Sequence, residues 1–100
     1  MEKTYLYIIG NGEGAIKVGL SKNPEKRVKQ LQTGNENTLS LLFTEEFECD
    51  RKKVFDVEKK VHRDLGARCK KRVGEWFYLD NVDLESIKNT IIWHRIRYDN

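Results

Sequence analysis

Three side chains that suit phosphate chemistry occur at even intervals near the start of the chain, namely Tyr7, Lys17 and Arg27. A guanidinium offers a planar fork that matches two phosphate oxygens, and an ammonium adds a compact positive charge. A phenol hydroxyl can position or deprotonate an attacking water when a cation beside it favours the phenolate. The three residue types together therefore point to a phosphate group as their target, provided that the fold brings them together.

The first two of these side chains are predicted to lie on a β-hairpin. Residues 4–9 are rich in β-branched and aromatic residues with apolar side chains on both faces, which predicts a central strand covered on both sides. Residues 10–14 contain three glycines and predict a turn, and residues 15–20 form a second short strand. We expect these two strands to be antiparallel.

The third side chain, Arg27, is predicted to lie on a helix. Asn23 is a suitable N-cap and Pro24 suits the first helical position. The helix is expected to run to about Gln32, with Gly34 in the left-handed conformation beyond its end.

The rest of the chain predicts alternating strands and helices in a single domain over residues 1–100. In order these are a strand over residues 38–47, a helix over residues 51–65 capped by Asp50 and ended by Gly66, an aromatic strand over residues 74–79, and a helix from a cap at Asp83 towards Arg95. The order β-β-α-β-α-β-α predicts an α/β domain of the α+β kind.

Composition places the chain among small intracellular proteins. Hydrophobic residues make up 38% of the 100 residues, enough for one core, and the net charge is +3. Cys49 and Cys69 lie far apart, which argues against a zinc site or a disulfide framework and favours a reducing cytoplasm. No apolar run approaches the length of a membrane span, so we expect no membrane partner.

The helix over residues 51–65 contains one carboxylate that breaks its pattern. Val54, Val57, Val61 and Leu65 form an apolar stripe, and Glu58 is expected in its middle with His62 at its edge. A buried carboxylate is costly unless it is paired or bound to a cation. Two interpretations remain open: an ion pair of Glu58 with Arg27 or Lys17, and a metal ligand at the floor of a cleft.

A basic run follows this helix, with cations at Arg68, Lys70, Lys71 and Arg72. Such a run is most often a solvated loop. It is also suited to following a nucleic-acid backbone.

The chain resembles the GIY-YIG nuclease superfamily, and most of all its small phage and bacterial branch. The resemblance covers roughly residues 5–79 and is carried by Tyr5-Leu6-Tyr7, Lys17-Val18-Gly19, Arg27, Glu58 with His62, and Gly74-Glu75-Trp76-Phe77. It implies a three-stranded antiparallel sheet flanked by helices. The chain departs from the family pattern at Tyr5, which replaces a glycine, and at Lys17, which replaces a tyrosine, and no residue matches the family's late asparagine.

The resemblance also implies a role for each matching residue. Tyr7 positions or deprotonates the attacking water with Lys17 beside it, Arg27 holds the scissile phosphate, and Glu58 binds a single Mg²⁺ or Mn²⁺, with His62 completing the catalytic set. The implied activity is metal-dependent endonucleolytic hydrolysis of DNA, by the domain itself, a homodimer or a complex with a protein partner.

Two other functions remain open at this stage. A binding module of the same fold would hold nucleic acid or protein without cutting. A structural or inhibitory interaction protein would lack affinity for nucleic acid altogether.

Overall fold

The structure is a computed structural model that describes residues 3–99, without the side chains at positions 81, 82, 98 and 99. It contains five strands and three helices in these residues. They are β1 (Thr4–Gly10), β2 (Ala15–Ser21), α1 (Pro24–Gln32), β3 (Ser40–Phe47), α2 (Arg51–Arg68), β4 (Lys71–Val73), β5 (Trp76–Tyr78) and α3 (Asn81–Asp99).

The strands form one antiparallel sheet in the order β3-β1-β2-β5-β4. The predicted α+β class is confirmed, but the predicted three-stranded sheet is wrong. Two further strands lie at the β2 side of the sheet: β5, which the aromatic segment over residues 74–79 predicted, and β4, which was not predicted. All three residues of β4 are exposed, so this edge strand carries no apolar alternation from which it could be predicted.

Strand β1 lies between two other strands and is covered on both faces, as predicted. Leu6 and Ile8 face a core built with helices α2 and α3. Tyr7 and Ile9 face the opposite side, where residues of helix α1 pack against them. The period of two along a strand therefore divides the core into two layers.

Local capping chemistry fixes the predicted hairpin and the start and end of α1. The side chain of Asn11 accepts hydrogen bonds from the backbone N–H groups of Glu13 and Ala15. At α1 the side chain of Asn23 accepts from the N–H of Lys26, as an N-cap does. Gly34 follows with φ of +78°, which confirms the predicted left-handed residue.

Two predicted helix boundaries are wrong. Helix α2 continues through Gly66 to Arg68, and the N–H of Cys69 still bonds the Leu65 carbonyl. Gly66 therefore lies inside the helix, where a glycine costs about 1 kcal/mol relative to alanine without ending it. Helix α3 begins at Asn81, so Asp83 lies in its first turn, where its charge suits the helix dipole, and does not cap it.

Candidate functional site

A cleft opens where strand β2 runs beyond the end of β5. Strand β5 pairs with β2 only at Ala15 and Ile16, so the later residues of β2 have no strand on that side. Side chains from both faces of the sheet can meet around such an edge. The resulting space, which we name the β2-edge cleft, has a volume of about 290 Å³ and is lined by Tyr7, Lys17, Val18, Gly19, Leu20, Arg27, Glu58, His62 and Glu75.

The β2-edge cleft contains all five residues that the sequence predicted as catalytic. Tyr7 comes from β1 and Lys17 from β2, on the face that α1 covers. Arg27 comes from α1 on that same face, and Glu58 and His62 come from α2 on the opposite face. Their roles remain predictions, whereas their convergence is a property of the fold.

Gly19 leaves the space that the Tyr7 ring occupies. The two residues are direct partners in the β1–β2 ladder. A Cβ at position 19 would lie 2.3 Å from the Tyr7 hydroxyl oxygen and 2.5 Å from its ring carbon Cζ. Any side chain at position 19 would therefore displace the Tyr7 hydroxyl from the cleft.

Lys17 forms an ion pair with Glu75, which lies in the turn between β4 and β5. Lys17 is 8% exposed, whereas 73% of the Glu75 side chain is open to solvent. The hydrogen bond from Lys17 is the main cause that holds the pKa of Glu75 below its usual range, and the charges of His62 and Arg27 add to it. A carboxylate thus lies among the cations of the cleft.

Glu75 is the site residue that sequence reasoning missed. It stands inside the Gly74-Glu75-Trp76-Phe77 segment, which contributed to the resemblance without receiving a role. The preceding Gly74 has φ of +60°, which suits the tight turn that carries Glu75 towards β2. The segment was therefore the available signal, but nothing in it indicates that Lys17 is the partner.

Glu58 lies beside the apolar stripe of α2 rather than in its middle. Val54, Val57, Val61 and Leu65 are fully buried, but Glu58 is only half-buried and faces the β2-edge cleft. Among the described residues it makes no hydrogen bond and no ion pair, so the pair with Arg27 or Lys17, one of the two interpretations left open by the sequence, is absent there.

Burial is the main reason that the pKa of Glu58 is raised above its ordinary value. The negative charge of Glu75 raises it further, while His62, Lys17 and Arg51 oppose the rise. The carboxylate of Glu58 is therefore costly in its ionised form and would gain from a cation.

His62 ties helix α2 to the free edge of β2. Its Nε2 lies 2.7 Å from the carbonyl oxygen of Val18, and its ring packs against Phe77 with centroids 5.9 Å apart. Because a carbonyl only accepts, Nε2 must carry a proton and donate a hydrogen bond to the Val18 carbonyl.

The donor set of the β2-edge cleft suits a magnesium ion better than zinc. The described residues contain no group of three His, Cys, Asp or Glu side chains that could hold a metal. Magnesium keeps several of its waters and accepts one or two carboxylates. Glu58 meets that requirement, with Glu75 close enough to influence its pKa.

The basic run is only partly a loop, because the structure places Arg68 on helix α2, Lys70 in the connection after it, and Lys71 and Arg72 on strand β4. Arg68 ends helix α2 and pairs with Asp64 at 3.1 Å, and Lys70 pairs with Asp80 at 2.5 Å. The other two cations lie on strand β4, with Lys71 over the ring of Tyr78 at 5.3 Å and Arg72 over the ring of Phe77 at 4.7 Å.

A comparison with protein families shows to which family this chain belongs. The family model of the T5orf172 domain matches residues 4–95, nearly the whole chain. The chain belongs to the T5orf172 domain family. The T5orf172 domain is phage-associated and is related to nuclease-like folds of the GIY-YIG type. The matched range includes every residue of the β2-edge cleft.

The other comparisons add no relative to this T5orf172 domain. No curated protein and no solved structure matches the chain. Within residues 3–99, no helix has the length and apolar character needed to cross a bilayer.

Proposed function

We propose that this T5orf172 domain is a metal-dependent endonuclease that hydrolyses phosphodiester bonds in DNA at the β2-edge cleft. The observation that carries the proposal is the convergence of Tyr7, Lys17, Arg27 and Glu58 around one opening from both faces of the sheet. These are the groups that such a reaction needs: a water-activating hydroxyl, cations for the phosphate and a carboxylate for the metal.

Tyr7 is the group proposed to position the attacking water. Its ring is almost fully buried against Gly19, so the hydroxyl has few alternative positions. Lys17 is on the same sheet face as Gly19, two residues earlier on β2. The side chains of Tyr7 and Lys17 both line the cleft, so a water held by the Tyr7 hydroxyl would lie near the Lys17 ammonium.

Arg27 and Lys17 are proposed to hold the scissile phosphate. In the free protein the Glu75 carboxylate already pairs with Lys17, and the positive charge of Arg27 helps to lower its pKa. A phosphate that enters the cleft competes with this carboxylate for the same cations. The exposed position of Glu75 in a turn allows it to move aside without disturbing the core.

Glu58 is the proposed ligand of a magnesium or manganese ion. When bound, the ion supplies Lewis-acid stabilisation of the charge that develops on the phosphate and the leaving oxygen. Glu58 would hold the ion, which would compensate the desolvated charge of its carboxylate. His62 keeps α2 at its distance from β2 and so fixes the position of Glu58.

The Lys17–Glu75 ion pair also favours a second candidate, a domain of the same fold that binds nucleic acid without cutting it. A permanent ion pair would neutralise Lys17 and leave Arg27 to hold a phosphate alone. Binding without any metal-dependent cleavage would identify this candidate.

A plasmid-nicking assay with purified protein tests the proposal. We expect nicking of supercoiled DNA in magnesium and none in chelator. Arg27→Ala should reduce the nicking rate about 100-fold or more, the typical loss when one group that stabilises the transition-state charge is removed. Its melting temperature should change by only a few degrees, because Arg27 is half-exposed.

Lys29→Ala is the matched control for Arg27→Ala, since Lys29 is an exposed cation on the same helix that does not line the cleft. It should nick at the rate of the parent protein. A large loss of melting temperature in Arg27→Ala with nicking intact would contradict the proposed role.

The divided basic run allows a paired test of backbone contact. We propose that Lys71 and Arg72, which have no carboxylate partner among the described residues, contact the DNA backbone outside the cleft. Replacing both with glutamine should reduce the dependence of log affinity on log salt by about 1.8 for duplex DNA. Replacing Arg68 and Lys70, which already pair with Asp64 and Asp80, should change it less. If the slope of log affinity against log salt is the same for both double variants and the parent, none of the four cations contacts the DNA backbone.

A further inference from the structure

A second concave surface lies between helices α2 and α3, outside the β2-edge cleft. It has a volume of about 310 Å³ and is lined by Lys60, Trp93, His94 and Arg97. We name it the α3 pocket. Trp93 is 53% exposed, although burying an indole is among the largest apolar gains available to a small domain.

The α3 pocket and the β2-edge cleft are on different sides of helix α2. Lys60 follows Glu58 by two residues, which places the two side chains about 200° apart around the helix axis. None of the described residues lines both spaces. The residues of the α3 pocket therefore have no part in the chemistry proposed for the cleft.

The electrostatic potential in the α3 pocket is positive, because Lys60 and Arg97 line it. Burial lowers the pKa of His94 below its ordinary value, and the charges of Lys60 and Arg97 lower it further. Among the described residues that line the pocket, none is acidic. In the described part of the chain, neither Lys60 nor Arg97 forms an ion pair with a carboxylate, so both charges remain available to an anion.

The aromatic side chain in the α3 pocket contacts Arg97 and His94. The Arg97 guanidinium lies over the Trp93 ring at 4.8 Å, and the His94 ring meets the indole edge-on at 4.9 Å. A guanidinium that packs on an indole can still donate its N–H groups to other acceptors. The pocket thus offers a planar apolar surface beside donors suited to phosphate oxygens.

We propose that the α3 pocket is a binding site for single-stranded nucleic acid, with a base stacked on Trp93 and the flanking phosphates held by Lys60 and Arg97. A cationic groove with an exposed aromatic ring is the combination by which proteins bind single strands without sequence preference. An acidic peptide would match the charge but supply no planar ring for the indole. The choice of nucleic acid as the ligand rests on the proposed function of the cleft, whereas the charge and aromatic surface of the pocket follow from its own residues.

The test measures binding of a fluorescein-labelled ten-nucleotide oligothymidine by anisotropy, with chelator present so that no strand is cut. Trp93→Ala should weaken binding about tenfold or more, and Trp93→Phe, which keeps a ring, should lose less. Lys60→Gln and Arg97→Gln should each reduce the salt dependence by about 0.7, as expected for one phosphate contact to a single strand. Lys29→Gln, on the other side of the sheet, should leave it unchanged.

The outcomes separate this inference from the proposed function. Parent-like binding by Trp93→Ala overturns the inference even if magnesium-dependent nicking is found, and so does a parent protein that does not bind the oligonucleotide. A loss in Trp93→Ala with retention in Trp93→Phe supports it even if no nicking occurs. Melting curves of both variants should match the parent, because more than half of Trp93 is already in solvent.

Discussion

Replacing Gly19 with alanine is expected to abolish most cleavage and to lower stability at the same time. The added Cβ would lie 2.3 Å from the Tyr7 hydroxyl oxygen, far inside van der Waals contact. Tyr7 is almost fully buried, so its ring must shift within a packed layer. Overpacking of this kind costs about 1–3 kcal/mol. Displacing a reacting group by about 1 Å can cost 100-fold in rate, so we expect a loss of at least that size in the nicking assay.

Gly66→Ala is the matched control for this prediction. Gly66 lies within helix α2, and nothing stands within 4 Å of the position that its Cβ would take. Alanine there should raise stability by about 1 kcal/mol and leave nicking unchanged. If Gly19→Ala nicks like the parent, the buried position of the Tyr7 hydroxyl is not required for cleavage.

The features that the sequence predicted correctly depend on local chemistry. Asn23 and Pro24 specify the start of α1 within a few residues, because a cap is a contact between close neighbours in the chain. The glycine-rich turn after β1 gives the hairpin in the same way. Once the hairpin and α1 form, Tyr7, Lys17 and Arg27 are carried to one side of the sheet.

The features that the sequence did not reveal depend on contacts distant in the chain. Lys17 and Glu75 are 58 residues apart, and no periodicity links the two positions. Strand β4 forms because β5 is available to pair with it, although its own residues are all exposed. The sheet is therefore wider than predicted, and the hairpin that widens it brings Glu75 to the cleft.

The position of Glu58 shows the limit of helical periodicity. At about 100° per residue, Glu58 lies some 40° from Val54, close enough to the stripe that the pattern places it in the core. The structure places it half-buried, because the pairing of β5 with β2 ends at Ile16 and leaves an opening beside the rest of β2. A helical wheel gives the direction of a side chain but not where the neighbouring sheet stops.

Glu58→Gln is expected to abolish nicking while leaving the metal-free protein at least as stable as the parent. Glutamine keeps the shape of glutamate but removes the charge that burial disfavours. Because Glu58 makes no hydrogen bond or ion pair to the described residues, the substitution breaks no such contact among them. Groups held at functional sites commonly reduce stability in this way.

Divalent metal should separate the two proteins further. Magnesium or manganese at ten times its Kd should stabilise the parent by about 1.4 kcal/mol, since only the native state offers the site. For a domain of 100 residues this corresponds to a rise in melting temperature of about 6–11 °C. Glu58→Gln should show little or no rise, so calorimetric scans with metal and with chelator measure the effect directly.

The pH dependence of stability in chelator gives an independent check on Glu58. Its raised pKa means that the folded state favours the neutral carboxyl, so the parent should lose stability as the pH rises from about 4 through that raised pKa. Glu58→Gln lacks this loss, and the difference in stability between the two proteins should disappear below the ordinary carboxyl pKa.

A buried ion pair would give the reverse, with Glu58→Gln less stable by about 3–5 kcal/mol at neutral pH and no metal response in either protein. If Glu58→Gln is much less stable than the parent protein in chelator, Glu58 is therefore not a metal ligand. The only other carboxylate that lines the described part of the cleft is Glu75, which already pairs with Lys17.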